Sequence, residues 1–162
     1  MIFLTVGTQF PFDRLVRAVD KALESGRLAE EVLAQIGDSP YQPRNFQAVP
    51  YMDKALFDEY VDKASGIISH AGMGNIALAL NNNKPLLVMP RLRRYREVVN
   101  DHQLAIAKKF EHLGHLLAAY NEDDMLDKIG ALRHFVPTRR ETHAEAVAKR
   151  ISSFLAEIED WD

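Results

Sequence analysis

GIISHAGMGNIALALNNNKPLLVMP, residues Gly66 to Pro90, reads as strand, glycine-bearing turn, helix, turn and strand. Gly66 to Ser69 is a short apolar run that ends abruptly at His70. In His70-Ala71-Gly72-Met73-Gly74, two glycines let the backbone bend and come close to another group. Asn75 to Leu80, mostly apolar with good helix formers, predicts a helix. Asn81-Asn82-Asn83 stops it, because Asn accepts a left-handed C-cap, and Pro85 drives Lys84 out of the helical region. Leu86 to Met89 is a second apolar run, bounded by Pro85 and Pro90. A strand, a glycine turn and a helix N-terminus together form an anion site. The first N–H groups of the helix lack partners and carry about half a positive charge. The same pattern also serves as a plain structural connection, and a lone G-x-G does not decide between the two.

The flanking chain repeats this alternation. Ile2 to Val6 is an apolar run that predicts a buried, central strand, ended by Gly7-Thr8-Gln9. Phe12, Leu15, Val16, Val19 and Leu23 have helical spacing, opening at Pro11 or Phe12 and closing at Ser25-Gly26. Glu31 to Ile36 alternates as a strand, with Leu33 on the wrong face of a clean pattern, and Asn45 to Val49 is another. Asp53 caps a helix with Leu56, Phe57, Tyr60 and Val61 inward. After a basic loop, Asn100 or Asp101 caps a helix with Gln103, Ile106, Ala107, Phe110 and Leu113 inward. His115 to Ala119 is a last strand, Asn121 caps a helix to about Leu132, and a final helix uses Val147, Ile151, Phe154, Leu155 and Ile158. The fold expected is α/β: a Rossmann-like, three-layer domain over residues 1–162 with a parallel sheet of about six strands.

Composition narrows the function. With 162 residues, 47% hydrophobic and 27% charged, the chain suits one globular core. A net charge of −3 argues against a nucleic-acid partner, and the absence of cysteine excludes disulfides and thiolate chemistry. MIFLTVGTQF lacks the basic and long apolar regions of a signal peptide, so no leader is expected. No apolar run approaches the roughly 20 residues of a membrane span. The six histidines show no metal-ligand spacing, so no metal is assigned, and no G-x-S-x-G nucleophile motif occurs.

In a parallel sheet, ligands bind at the carboxyl ends of the strands. Three turns converge there. Gly7-Thr8 offers close backbone approach and a hydroxyl, or is simply a turn. His70, Gly72, Gly74 and Asn75 offer N–H groups, an amide and an imidazole for a phosphate, although His70 taken alone reads first as a structural histidine. Asp101 and Gln103 offer an acceptor and an amide to a polyhydroxylated ligand, or serve as an N-cap and a surface residue. Arg91, Arg93, Arg94 and Arg96 could hold phosphates, face an anionic lipid surface, contact a protein, or form a solvated loop.

FLTVGTQFPFDRLV, ISHAGMGNIALALNNNKPLLVMPR and RYREVVNDHQLAIAKKFEHLGHL occur in this order across nearly the whole chain. With them the chain resembles the donor-binding half of two-domain (GT-B) glycosyltransferases of family 28. It is most similar to their stand-alone small subunits. These are the catalytic subunit of the eukaryotic enzyme adding the second N-acetylglucosamine to dolichol-linked diphosphate, and the small subunit of bacterial exopolysaccharide glycosyltransferases. PRLRRYREVVNDHQ resembles the latter specifically.

The resemblance implies that His70, Gly72, Gly74 and Asn75 bind the diphosphate of a UDP-sugar, with Gly7 and Thr8 lining the cleft. Asp101, His102 and Gln103 would reach the transferred sugar. Many relatives carry a glutamate for the ribose hydroxyls where this chain has Leu78, so ribose recognition must differ. No cofactor is implied, the UDP-sugar being the donor substrate. Transfer would be metal-independent and inverting, passing a hexose to a lipid-linked saccharide acceptor. A separate, membrane-anchored subunit would bind that acceptor and bring the base, holding this chain at the cytoplasmic face of the membrane. No general base is nominated here, His70 being the nearest candidate. Alone, the chain is expected to be inactive and could pair as a homodimer through surfaces the partner would cover. Two other readings stand beside this one. The first is a non-catalytic nucleotide-binding or scaffold module. The second is a sugar-nucleotide epimerase of similar architecture, whose relatives need two domains in one chain.

Overall fold

The computed structural model describes residues 1–138 and 148–153. Six strands form one all-parallel sheet: β1 (Ile2–Thr5), β2 (Val32–Gln35), β3 (Gln47–Val49), β4 (Gly66–His70), β5 (Leu86–Met89) and β6 (Leu117–Ala118). Their order is β3-β2-β1-β4-β5-β6. The α/β architecture with about six strands is therefore as expected, and β1 is central. Helices α1 (Asp13–Glu24), α2 (Lys54–Lys63), α3 (Met73–Asn81), α4 (His102–His112) and α5 (Glu122–Lys128) fill the connections.

Alternation of side chains across the strands builds two cores. Ile2, Leu4, Ile68, Leu87 and Met89 pack with Leu15, Val16 and Val19 of α1 and Met125 of α5. On the other face Phe3, Ile67, Leu86 and Val88 pack with Val61 of α2, Ile76 and Ala79 of α3 and Ala107 of α4. The sheet is the middle of three layers, so its strands are apolar on both faces. Phe3 is fully buried and meets Phe57 edge-on at 5.2 Å. Burying such a side chain contributes about 1.5–3 kcal/mol.

Burial on both faces also corrects the reading of Leu33. It does not break a pattern: Val32 and Ala34 join the first core while Leu33 packs against the second. Asp53 caps α2 as expected, its carboxylate accepting from Leu56 N–H at 2.8 Å. Leu56 itself is exposed, as is Leu113 at the end of α4, because each falls off the inward stripe of its helix. Helix α3 begins at Met73, two residues before the sequence pattern, since a glycine in the first turn does not prevent helix entry. Its asparagine stop is as expected, Asn83 taking the left-handed conformation with φ 51°. Helix α5, expected to run to about Leu132, gives way after Lys128 to a 3-10 turn, Ile129–His134. Of the final expected helix, Ile151 is helical and exposed, while Val147, Phe154, Leu155 and Ile158 lie outside the described residues. No helix among the described residues is long and apolar enough to cross a membrane.

The order of strands sets the position of the site. From β1 the chain moves to β2 and β3 on one side, and later to β4, β5 and β6 on the other. The loops after β1 and β4 leave adjacent strands in opposite directions and open a crevice at the carboxyl edge.

Candidate functional site

A cavity of about 260 Å³ lies in that crevice, lined by Gly7, Thr8, His70, Gly74, Asn75 and Arg91 among others. Gly72 adjoins it beneath His70. The sequence-nominated residues of the first two turns thus come together.

Helix α3 points its N-terminus here. Its N-cap is Gly72, which has no side chain to cap with, so the first-turn N–H groups receive no side-chain cap. The glycines do different work from the bend expected of them. Gly72 has an ordinary φ of −87°, but an added Cβ would stand 2.4 Å from His70 Nε2. Gly7 alone of the three needs a left-handed backbone, with φ 76°, and its Cβ would lie 3.0 Å from His70 Cε1. The imidazole is therefore lodged between two glycines. A Cβ on Gly74 would meet nothing within 4 Å. Its bareness leaves space in the cavity.

His70 is neutral. Burial, helped by the charge of Arg91, pushes its pKa down to about 4. Asn75 Nδ2 donates to His70 Nδ1 at 3.2 Å and to Ser69 Oγ at 2.5 Å. Because Nδ1 accepts, the ring proton sits on Nε2. The imidazole thus carries its N–H donor on Nε2, and Asn75 fixes the orientation of the ring.

Arg91 is the cation of the cavity. It is only 4% exposed, so it does not belong to a solvated basic cluster. Its Nη2 donates to the carbonyls of Val6 at 2.9 Å and Phe10 at 2.5 Å, holding the loop after β1. Its guanidinium lies 5.1 Å from the centre of the Phe12 ring, and Arg14 lies 5.3 Å from the same ring. Arg91 Nε is buried and has no hydrogen-bond partner among the described residues. Burial lowers the Arg91 pKa to about 10, still far above neutrality, and leaves it charged.

The third turn is tied to the cavity but does not line it. Gln103 is buried, and its Oε1 accepts from the Arg91 backbone N–H at 3.1 Å. Asp101 is exposed and is the N-cap position of α4, but its carboxylate accepts from Arg93 N–H at 2.7 Å instead of capping. His102 is exposed and meets Asn100 Oδ1. These residues hold the loop between β5 and α4, in which Arg93, Arg94 and Arg96 are exposed. Arg93 and Arg96 line a separate groove with Phe10 and Val99.

That loop is anchored by residues the sequence reading did not single out. Arg14 and Glu97 form a bidentate ion pair with both contacts at 2.9 Å, and Arg14 Nη2 also donates to Pro90 O. Glu97 Oε2 further accepts from Leu92 N–H at 2.9 Å. An arginine on a helix face and a glutamate in a distant loop carry no local signal of this pairing. Among the described residues no group of three or more His, Asp or Glu side chains is placed to hold a metal ion.

Residues 1–158 match the family described as the glycosyltransferase family 28 C-terminal domain. The human UDP-N-acetylglucosamine transferase subunit ALG13 is 34% identical over 125 residues, covering 71% of this chain and 10% of the human protein. The subunit of the same name from Candida glabrata is 36% identical over 93 residues, covering 56% of this chain and 43% of that protein. The matched stretch is thus a tenth of the first relative and less than half of the second. Among solved structures, Acinetobacter baumannii MurG superposes with a TM-score of 0.62 at 18% identity, over 83% of this chain and 42% of that one. A solution structure of ALG13 gives 0.59 at 19% identity, over 91% and 92%. At these identities the structural likeness bears on the fold.

Proposed function

The chain belongs to the glycosyltransferase family 28 C-terminal domain family, and from that premise we propose that it is the donor-binding subunit of a glycosyltransferase using a UDP-sugar. The single observation carrying this reading is the cavity at the β1/β4 crevice. Arg91, buried and with an unpartnered Nε–H among the described residues, the neutral His70 with its proton on Nε2, and the uncapped first turn of α3 all line one small space. All three are donors and none is an acceptor, which is the complement of a diphosphate. Relatives carrying the name of a UDP-N-acetylglucosamine transferase subunit make a UDP-sugar the first donor to try.

In this reading the acceptor hydroxyl attacks the anomeric carbon as the bond to the diphosphate oxygen breaks, inverting the centre. Charge developing on the departing UDP is taken up by Arg91, His70 Nε2–H and the α3 N–H groups, so the chain supplies that stabilisation without a metal. His70 is held neutral with its proton on the donor side, which suits phosphate contact and not proton abstraction. The base is assigned to a second, membrane-anchored subunit that binds a lipid-linked saccharide acceptor of exopolysaccharide or related glycan synthesis. That subunit would place this chain at the cytoplasmic face of the membrane. Asp101 and His102 are exposed and are assigned to the sugar, with Gln103 supporting Arg91.

One observation favours a non-catalytic nucleotide-binding or scaffold module: Asp101 and Gln103 are both engaged in holding their own loop. Co-expression with the acceptor-binding subunit separates the two readings. Membranes are supplied with labelled UDP-glucose, UDP-galactose, UDP-glucuronate or UDP-N-acetylglucosamine. The donor-subunit reading predicts transfer of one sugar to the lipid fraction only when both chains are present, abolished by Gly74→Val. Transfer that proceeds equally without this chain would overturn it.

A further inference from the structure

Two buried side-chain polar atoms lack a hydrogen-bond partner among the described residues, Arg91 Nε and Gln35 Oε1. They are of opposite kind. Arg91 Nε is a donor on a residue that lines the first cavity. Gln35 Oε1 is an acceptor, and Gln35 lines a second cavity of about 480 Å³ that shares Gly7, Thr8 and Asn75 with the first. Gln35 is the last residue of β2 and is 3% exposed. Met52, Phe57 and Leu78 supply apolar wall. An unpaired buried acceptor is costly to leave unmade and needs an explanation.

A diphosphate cannot satisfy it, because at neutral pH a diphosphate ester offers only acceptors. The nucleoside attached to that diphosphate does offer donors, in the ribose hydroxyls and the imide N–H of uracil. A nucleoside must also leave the diphosphate cavity through an adjoining space, and Gly7, Thr8 and Asn75 form the shared boundary. The amide can turn either end towards the cavity, which suits a partner that both donates and accepts. Leu78 offers such a partner nothing.

We propose that Gln35 is the residue that selects the nucleoside half of the donor, its side-chain oxygen accepting a hydrogen bond from the ribose or the base seated in the second cavity. This rests on the UDP-sugar reading above. It makes Gln35 a specificity residue in a strand, paired in register with Thr5 and Val49 and held with them in the sheet.

The test is calorimetric titration of the wild-type chain and of Gln35→Met with UDP, 2′-deoxy-UDP, 3′-deoxy-UDP, N3-methyl-UDP and inorganic diphosphate, together with thermal melts of the unliganded proteins. Gln35→Met is expected to bind UDP about tenfold more weakly, since an unmade buried hydrogen bond costs on that order. Inorganic diphosphate is expected to bind both proteins alike. The unliganded variant should melt no lower than wild type, because an orphan acceptor has been removed, an outcome a merely structural glutamine would not give. One modified nucleotide should bind wild type more weakly than UDP but bind the variant as UDP does, and it identifies the donor. Unchanged UDP affinity in Gln35→Met overturns the assignment, as does equal weakening of UDP and diphosphate. If the variant fails to fold, full affinity of every modified nucleotide for wild type overturns it too. Wild type that binds neither UDP nor diphosphate overturns the UDP-sugar reading itself, and this inference with it.

Discussion

The imidazole of His70 occupies the space a side chain at position 72 would need: a Cβ on Gly72 would stand 2.4 Å from His70 Nε2. The ring cannot yield cheaply, since Asn75 holds Nδ1 and Gly7 closes the opposite side. Gly72→Ala is expected to displace the ring, costing about 1–3 kcal/mol of stability and most of the affinity for UDP. In the double variant Gly72→Ala/His70→Ala the clash is gone. Urea melts should show that it is no less stable than Gly72→Ala alone, a coupling that independent sites would not give.

Gly74 presents the opposite case. It lies in the first turn of α3, has no positive φ, and its missing Cβ faces open cavity. Gly74→Ala should raise stability by about 0.5–1 kcal/mol, as alanine replaces glycine in a helix. UDP affinity should fall, because the methyl group fills space meant for the ligand. A melting temperature and a titration on the same preparation check both signs.

The buried, neutral state of His70 has a consequence for acid stability. Its pKa is about 4 in the folded chain and 6.5 in the unfolded chain. Between these values the unfolded state binds more protons, so stability rises with pH through this window and is lost as pH falls from about 6.5 towards 4. From pH 7 to pH 5 the loss owed to His70 is about 2 kcal/mol. Carboxylates contribute to acid denaturation too, so the quantity to measure is the difference in slope between wild type and His70→Asn over that range. The variant should show the shallower dependence.

Much of the fold was legible because its strands are short apolar runs closed by glycine, proline or asparagine. Ile2–Thr5, Gly66–His70 and Leu86–Met89 fall where the pattern put them. The glycine turn and the helix start that follows it were legible for the same reason. Arg91 was not separable from Arg93, Arg94 and Arg96, because four arginines in six residues look alike until Phe12 and Gln103 close over one of them. The structural use of Gln103 and Asp101 depends on a loop folding back on its own helix, which spacing does not encode. Gln35 carried no signal at all. A polar residue at a strand end is ordinary, and only its place between β1 and β3 in the folded sheet shows that its side-chain oxygen is buried without a partner among the described residues.

The cavity between the loops after β1 and β4 is proposed to take the diphosphate of a UDP-sugar. The most direct measurement is a ¹⁵N NMR titration of the chain with UDP, following the backbone N–H groups of Met73, Gly74 and Asn75 and the side-chain Nε–H of Arg91. Predicted is a saturable shift of all four, the Arg91 Nε–H moving as it gains its missing acceptor, with uridine leaving them largely unmoved. UDP at millimolar concentration that leaves these resonances in place, or that shifts a set elsewhere in the chain, would contradict the claim.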